Sequence, residues 1–243
     1  MKEGLEKAIK KIFNTFGLEI TRKWNTPVGD MENFLQDVKR RGLECNYILD
    51  VGAYKGKFSQ MAISVYPESA IYLVEPLKEM KLSLEGFCNR NPRSKYFDFA
   101  VGPVNGMQPL RVFKDLAWSG FMEEDIPMED KRTPRMVEMW PIDSLVQTHQ
   151  IEVPDLVKID VQGYELEVLK GAQMLFGKTE LFIIEASLHN KHKSFPLIAD
   201  AFAYMNERDY VLYDFAGFLR QHHDGSLVEC DLCFIKKESF LRK

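Results

Sequence analysis

The run Tyr47-Ile48-Leu49-Asp50-Val51-Gly52-Ala53-Tyr54-Lys55-Gly56-Lys57-Phe58-Ser59 leaves a chain few ways to fold. A short apolar segment that passes through an acid and two glycines into residues with helical spacing reads as the strand, turn and helix start of an α/β unit. Gly52 and Gly56 remove side chains where the backbone turns sharply. The helix opening near Gly56 would direct free N–H groups and the positive end of its dipole into the same crevice. A dinucleotide site needs Gly-x-Gly-x-x-Gly, whose middle glycine lets a pyrophosphate lie on the backbone. Here the spacing is Gly-x-x-x-Gly with Tyr54 inside it, which disfavours pyrophosphate and, with it, a nicotinamide-dependent oxidoreductase. Asp50, just ahead of the first glycine, suits a ligand carrying a cation and hydroxyls. S-adenosylmethionine, with its sulfonium, amino group and ribose, is one.

The flanking segments extend the unit in both directions. Upstream, Leu5, Ala8, Ile9, Ile12, Phe13 and Phe16 recur at helical spacing between lysines, and Asp30 would cap a second helix with Phe34, Leu35 and Val38 on one face, ending at Gly42. Downstream, Phe58, Met61, Ala62, Val65 and Tyr66 form the stripe of a helix that Pro67 halts. Ala70–Val74 is then a continuous apolar strand leading to Glu75, and an acid at the end of the second strand accepts hydrogen bonds from ribose hydroxyls in nucleotide-binding units of this kind. A helix over 77–88 and a third strand over 96–101, carrying Asp98 and Ala100, are expected next.

Extra strands are expected at 110–113 and 136–140. Between them lies a loop with Trp118, Ser119, Gly120 and Phe121 and an acidic, proline-bearing run to Pro134, of the kind that covers a substrate. Asp143 to Gln150 reads as a short helix, Leu156–Asp160 as the fourth core strand, 165–176 as a helix, and Leu181–Glu185 as a fifth strand with an acid at its tip. Ser194 would cap a helix bearing Leu197, Ile198, Ala201, Phe202 and Met205. Strands at 210–213 and 232–235, joined by a long connection, would close the chain as an antiparallel pair. The expected fold is a three-layer, Rossmann-like α/β sheet, mostly parallel with that antiparallel pair at its C-terminal end.

At 243 residues and 45% hydrophobic content the chain suits one domain with additions. A formal charge of −4 argues against general affinity for nucleic acid or anionic membranes. No run of about 18 apolar residues occurs and the first residues lack the apolar core of a signal peptide, so no stable membrane insertion and a cytoplasmic location are expected. Cys45, Cys88, Cys230 and Cys233 read as scattered reduced thiols.

Three blocks resemble the FkbM-type methyltransferases, a family that uses S-adenosylmethionine on a seven-stranded sheet. They are Ile48 to Gly56, Tyr72-Leu73-Val74-Glu75-Pro76, and the run from Pro141-Ile142-Asp143-Ser144-Leu145 through Leu156-Val157-Lys158-Ile159-Asp160-Val161-Gln162-Gly163-Tyr164-Glu165 to Ala172. The last is the most specific, similar in order and spacing to the family's Leu-Asp-Ser-Leu and Ile-Lys-Ile-Asp-Val-Glu-Gly-x-Glu pattern. Tyr54 stands where many members have Asn, and Gln162 where Glu is usual. The resemblance covers about residues 38–237, and the division it implies is an N-terminal helical extension over 1–42 and a methyltransferase domain over 43–243. It further implies that Asp50, Gly52 and Gly56 surround the methionine part of the cofactor, that Glu75 holds the ribose, that Asp98 and Ala100 flank the adenine, and that Asp160 faces the cofactor's amino group or the acceptor hydroxyl; Tyr54, on the same turn, is counted with the cofactor contacts. O-methylation of a sugar, glycan or other small molecule follows as the expected activity. The alternative is a binding module that keeps the fold without transfer.

Methyl transfer from a sulfonium asks the protein to align an acceptor and take up its proton. Ligands bind outside the carboxyl ends of parallel strands, which makes Asp160, Glu185 and His189 the candidate bases and Trp118 and Ser119 the candidate acceptor contacts. His149, His222 and His223 read as surface residues. Cys230 and Cys233, three apart on a strand, would face opposite sides, against a zinc site. A magnesium ion on Asp160 would need a second acid beside it, and no metal is expected.

Overall fold

Along each central strand, alternate residues enter two separate cores. Ile48, Leu156 and Ile183 belong to one, and their neighbours Leu49, Val157 and Ile184 to the other. This is the signature of a sheet covered on both faces, because successive side chains on a strand point to opposite sides. The computed structural model describes residues 13, 15, 28–121, 134–149, 151–189, 195–221 and 223–243. Most of the amphipathic segment expected over residues 1–16, the loop residues 122–133, the expected Ser194 cap and His222 lie outside the described residues.

The first core is covered by α1 (Met31–Arg40), α2 (Lys57–Val65) and α3 (Lys81–Arg90). Asp30 caps α1 as expected, its carboxylate accepting the Asn33 N–H at 2.9 Å. The second core is covered by α4 (Ile142–Thr148), α5 (Glu165–Lys170) and α6 (Ile198–Asn206). Between them lies a seven-stranded sheet built from β1 (Tyr47–Val51), β2 (Ala70–Val74), β3 (Lys95–Phe97), β7 (Leu156–Ile159), β8 (Leu181–Ser187), β9 (Tyr210–Arg220) and β10 (Leu227–Lys236). Its order is β3-β2-β1-β7-β8-β10-β9. The first five strands are parallel, and β10 enters antiparallel between β8 and β9. The antiparallel pair is thus present, but both strands are longer than expected, and a short turn joins them where a long connection was expected.

Four other expectations change. The third strand divides: β3 pairs with β2, and after Asp98 and Phe99 the chain crosses into β4 (Ala100–Val101), part of a second sheet with β5 (Gly106–Leu110) and β6 (Arg135–Trp140) in the order β4-β6-β5. The strand expected at 110–113 is therefore centred earlier, leaving Arg111 in an isolated pairing with Gly120. The helix expected over 165–176 ends at Lys170 with Gly171 as its cap, packed so closely that a Cβ there would lie 2.2 Å from the Gly102 carbonyl oxygen, and a short 3-10 turn, Gln173–Leu175, completes the segment. His149 is half-buried against the rings of Phe97, Phe99 and Trp140, not on the open surface.

Candidate active site

The turns after β1, β2 and β7 meet at one edge of the sheet. The Gly52 and Ala53 amides donate to the Val74 carbonyl at 3.0 and 3.1 Å, and the Asp160 amide donates to the Val51 carbonyl at 3.0 Å. Gly52 has a φ of 76°, and a Cβ there would stand 1.8 Å from the Asp160 carbonyl oxygen. The tips of β1 and β7 can approach this closely only over a glycine. Two residues on, Tyr54 has a φ of 45°, and its N–H donates to Glu75 Oε2 at 2.8 Å while the Leu77 N–H donates to Oε1 at 2.8 Å. Glu75 thus ties the turn after β1 to the turn after β2. Burial pushes its pKa up to about 7 against the pull of those two N–H groups. Each oxygen keeps a lone pair for a further donor.

These turns form one wall of a cleft of about 770 Å³. Val51, Gly52, Tyr54, Glu75, Asp160 and Gln162 line it, with Ala100 and Val101 at one end and Leu110, Leu116, Ser119 and Phe121 opposite. A second cleft, of about 640 Å³, shares Gly52, Tyr54 and Asp160 with the first and opens between Met31 of α1 and the start of α2, with Asp50 and Lys158 in its lining.

Beneath both clefts runs a row of charge on one face of the sheet. Asp50 of β1 is in register with Lys158 of β7, and Glu185 of β8 with Asp231 of β10. Lys158 is 7% exposed and its Nζ lies 2.7 Å from Asp160 Oδ2. Burial opposes its charge, but the carboxylates of Asp160, Asp231 and Asp50 outweigh burial and keep it protonated. For Asp160, burial is likewise overcome by the charge and hydrogen bond of Lys158 and by bonds from Glu185 and Gln162, so its pKa falls below the ordinary carboxylate range. Glu185 goes the other way: burial and the charges of Asp160 and Glu165 raise it well above that range. Asp160 is therefore the ionised member of the pair. Gln162 Nε2 donates to both, at 3.1 Å to Asp160 Oδ1 and 3.2 Å to Glu185 Oε2. Asp50 Oδ2 accepts from Ser59 Oγ at 2.6 Å, and its buried Oδ1 has no hydrogen-bond partner among the described residues.

Of the residues singled out in the sequence, Asp50, Gly52, Tyr54, Glu75, Ala100, Ser119 and Asp160 line the clefts. Gly56 holds a φ of 76° at the start of α2, and Glu185 lies behind Asp160. Three do not reach the clefts. Asp98 sits where the chain leaves the main sheet and points outward to Lys81 at 3.4 Å. Trp118 is 40% exposed at the end of a short 3-10 turn whose neighbours Leu116, Ala117 and Ser119 face inward. His189 is exposed beside Asp224, because β8 runs on to Ser187 and carries the chain past the strand tips.

Several site residues were not anticipated. Lys158 and Asp231 had a sequence signal, a single charge within an apolar strand. Glu165 had one as well, the final acid of the family-like Asp-Val-Gln-Gly-Tyr-Glu run: its Oε1 accepts the Val161 and Gly163 N–H groups at 3.0 and 3.1 Å, holding the loop after β7. Among the described residues no group of three His, Cys, Asp or Glu side chains could hold a metal. Cys230 and Cys233 enter different cores. Asp160 does have a second acid beside it, but the adjacent Lys158 ammonium, 2.7 Å from Oδ2, repels a cation there.

The model of the methyltransferase FkbM domain matches residues 50–212, more than half of the chain. The chain belongs to the FkbM methyltransferase family. Among solved structures, the methyltransferase FkbM from Methylobacillus flagellatus KT matches with a TM-score of 0.52 and 17% identity, over 78% of this chain and 44% of that one. This chain therefore spans under half the length of that relative. A 1,6-didemethyltoxoflavin-N1-methyltransferase from Burkholderia thailandensis, solved with S-adenosylhomocysteine, matches at 0.48 and 10% identity over 86% of this chain and 79% of that one. No curated protein sequence matches the chain. The family model places the chain in a methyltransferase family, and the solved structures share its fold. No helix among its described residues is long and apolar enough to cross a membrane.

Proposed function

We propose that this FkbM-family chain binds S-adenosylmethionine across the two joined clefts and methylates a hydroxyl oxygen on a sugar, glycan or other small molecule. The observation that carries the reading is Asp160: a carboxylate kept ionised by Lys158 at the junction of the two clefts. The residues fit the cofactor. Glu75 retains lone pairs for ribose hydroxyls, Ala100 and Val101 offer an apolar seat for the adenine, and the orphaned Asp50 Oδ1 awaits a donor such as the methionine amino group. When bound, S-adenosylmethionine supplies a methyl group on an already activated sulfonium.

The protein's own share is alignment and proton removal. A hydroxyl must lose its proton as it is methylated, whereas a neutral amine attacks through its free lone pair, so an ionised acid at this point favours oxygen. Met31 of α1 lines the second cleft, so the extension over 1–42 contributes to the site of the domain over 43–243. The net charge of −4 favours an acceptor other than nucleic acid. Calorimetric titration with S-adenosylmethionine, S-adenosylhomocysteine and NAD should show binding of the first two only. Labelled methyl transfer should then be found among sugars, lipids or phenols. Binding without transfer to any of them would favour a silent module, and NAD binding would overturn the reading.

A further inference from the structure

We propose that Gln162 is a positioning residue whose amide clamps the Asp160 and Glu185 carboxyl groups into one proton-sharing pair, of which Asp160 is the base for the acceptor hydroxyl. The inference rests on the reading of the cleft as a methyltransferase site, and it goes further by giving the proton a place and a holder.

The geometry is specific. One amide nitrogen reaches both acids, at 3.1 and 3.2 Å, from the strand tips of β7 and β8, while Lys158 Nζ occupies the remaining Asp160 oxygen at 2.7 Å. A single donor shared between two carboxyl groups holds them side by side, where two full negative charges would repel and one proton between them binds them together. The backbone is bent to make this contact. Gln162 has a φ of 55°, one of three positive values at non-glycine residues in the described chain, and it shares the cleft lining with another, Tyr54. A left-handed residue at a cleft, followed by Gly163 and held by Glu165, is the kind of strain that a site retains for the direction it gives a side chain.

The acids around Glu185 favour a proton on it against the opposing charge of Lys158, and Lys158 holds Asp160 ionised. Lys158 on β7 stands against Asp160, with Asp50 on β1 beyond it; Glu165 on α5 and Glu229 on β10 act on Glu185, and Asp231 on β10 is in register with Glu185. During transfer, the acceptor's O–H bond breaks toward Asp160 as its oxygen forms the bond to the methyl carbon. The electron pair of the broken S–C bond stays on sulfur, and the proton leaves to solvent with the product. A glutamate in place of Gln162 would put a third acid where the structure has a donor.

The test is carboxyl ¹³C NMR on protein labelled at glutamate Cδ, titrated with pH, with Glu185 assigned by Glu185→Gln and Glu79, paired with Arg135, as an internal control. In the parent protein Glu185 should titrate well above ordinary glutamates. In Gln162→Ala and Gln162→Gly the pair should separate, and with Asp160's charge more distant the Glu185 midpoint should fall by about one pH unit or more while Glu79, which is held low by Arg135, stays in place. Gln162→Gly relieves the strained backbone, so its melting temperature should equal or exceed that of the parent even as the Glu185 midpoint moves, which separates positioning from folding. An ordinary Glu185 midpoint in the parent, or an unmoved one in both variants, overturns the proposal. Calorimetry with S-adenosylmethionine on the same samples keeps the two questions apart, because a parent that fails to bind it refutes the cofactor assignment without touching the titration.

Discussion

Gly52 is the position in the cleft least able to accept a side chain, and the reason is the protein's own backbone more than any ligand. A Cβ 1.8 Å from the Asp160 carbonyl, on a residue with φ of 76°, would force β1 and β7 apart. Gly52→Ala should therefore cost about 1–3 kcal/mol of stability by urea unfolding, and lost cofactor binding in it would report distortion before ligand contact. The cleaner probes are Glu75→Ala and Asp50→Ala. Each removes an acid that the proposed binding mode uses to take a donor from the cofactor, so S-adenosylmethionine affinity should drop by about 1.5–3 kcal/mol with circular dichroism unchanged. Full affinity in both variants would mean the ligand lies elsewhere.

At the scale of elements, the segment from Arg111 to Phe121 forms the wall of the first cleft that the proposed acceptor would meet. Arg111 and Gly120 exchange backbone hydrogen bonds at 3.0 and 3.2 Å, the Ser119 hydroxyl accepts the Phe113 N–H at 3.2 Å, and the Phe121 ring packs on Tyr164 with centroids 5.2 Å apart. The closed loop presents Leu116, Ser119 and Phe121 to the first cleft and turns Trp118 away. Phe121→Ala should raise the acceptor KM or lower kcat by roughly tenfold, the scale expected for about 1.4 kcal/mol of lost contact, while Trp118→Ala stays near parental rates. Steady-state kinetics on both variants, with the acceptor found by labelled transfer, makes the comparison. The reverse ranking would mean that the loop reorganises on binding.

For the whole molecule, the buried acids set how stability depends on pH. Glu75 and Glu165, both raised to about 7 by burial, hold protons that the unfolded chain, with glutamates near 4.5, has already released. Stability they contribute at low pH is therefore lost as pH rises from about 4.5 to about 7, each tenfold difference in proton affinity between the folded and unfolded chain being worth about 1.4 kcal/mol. Glu165→Gln, which keeps an acceptor for Val161 and Gly163, should flatten the melting-temperature profile across that window. A slope unchanged from the parent would mean that Glu165 titrates normally. What the sequence determined alone was whatever depends on neighbours along the chain: the strand, turn and helix around Gly52, the apolar strands buried on two faces, and the acids Asp50, Glu75, Asp160 and Glu185 near the strand tips, since period and turn chemistry are local. What only the tertiary structure decided was pairing across distance. The insertion of β10 between β8 and β9 carried Asp231 to Lys158, the turn beyond Ser187 took His189 away, and Gln162 met Glu185 from an adjacent strand. Such contacts are set by how a whole sheet packs and closes over its two cores, and no spacing within one segment encodes them.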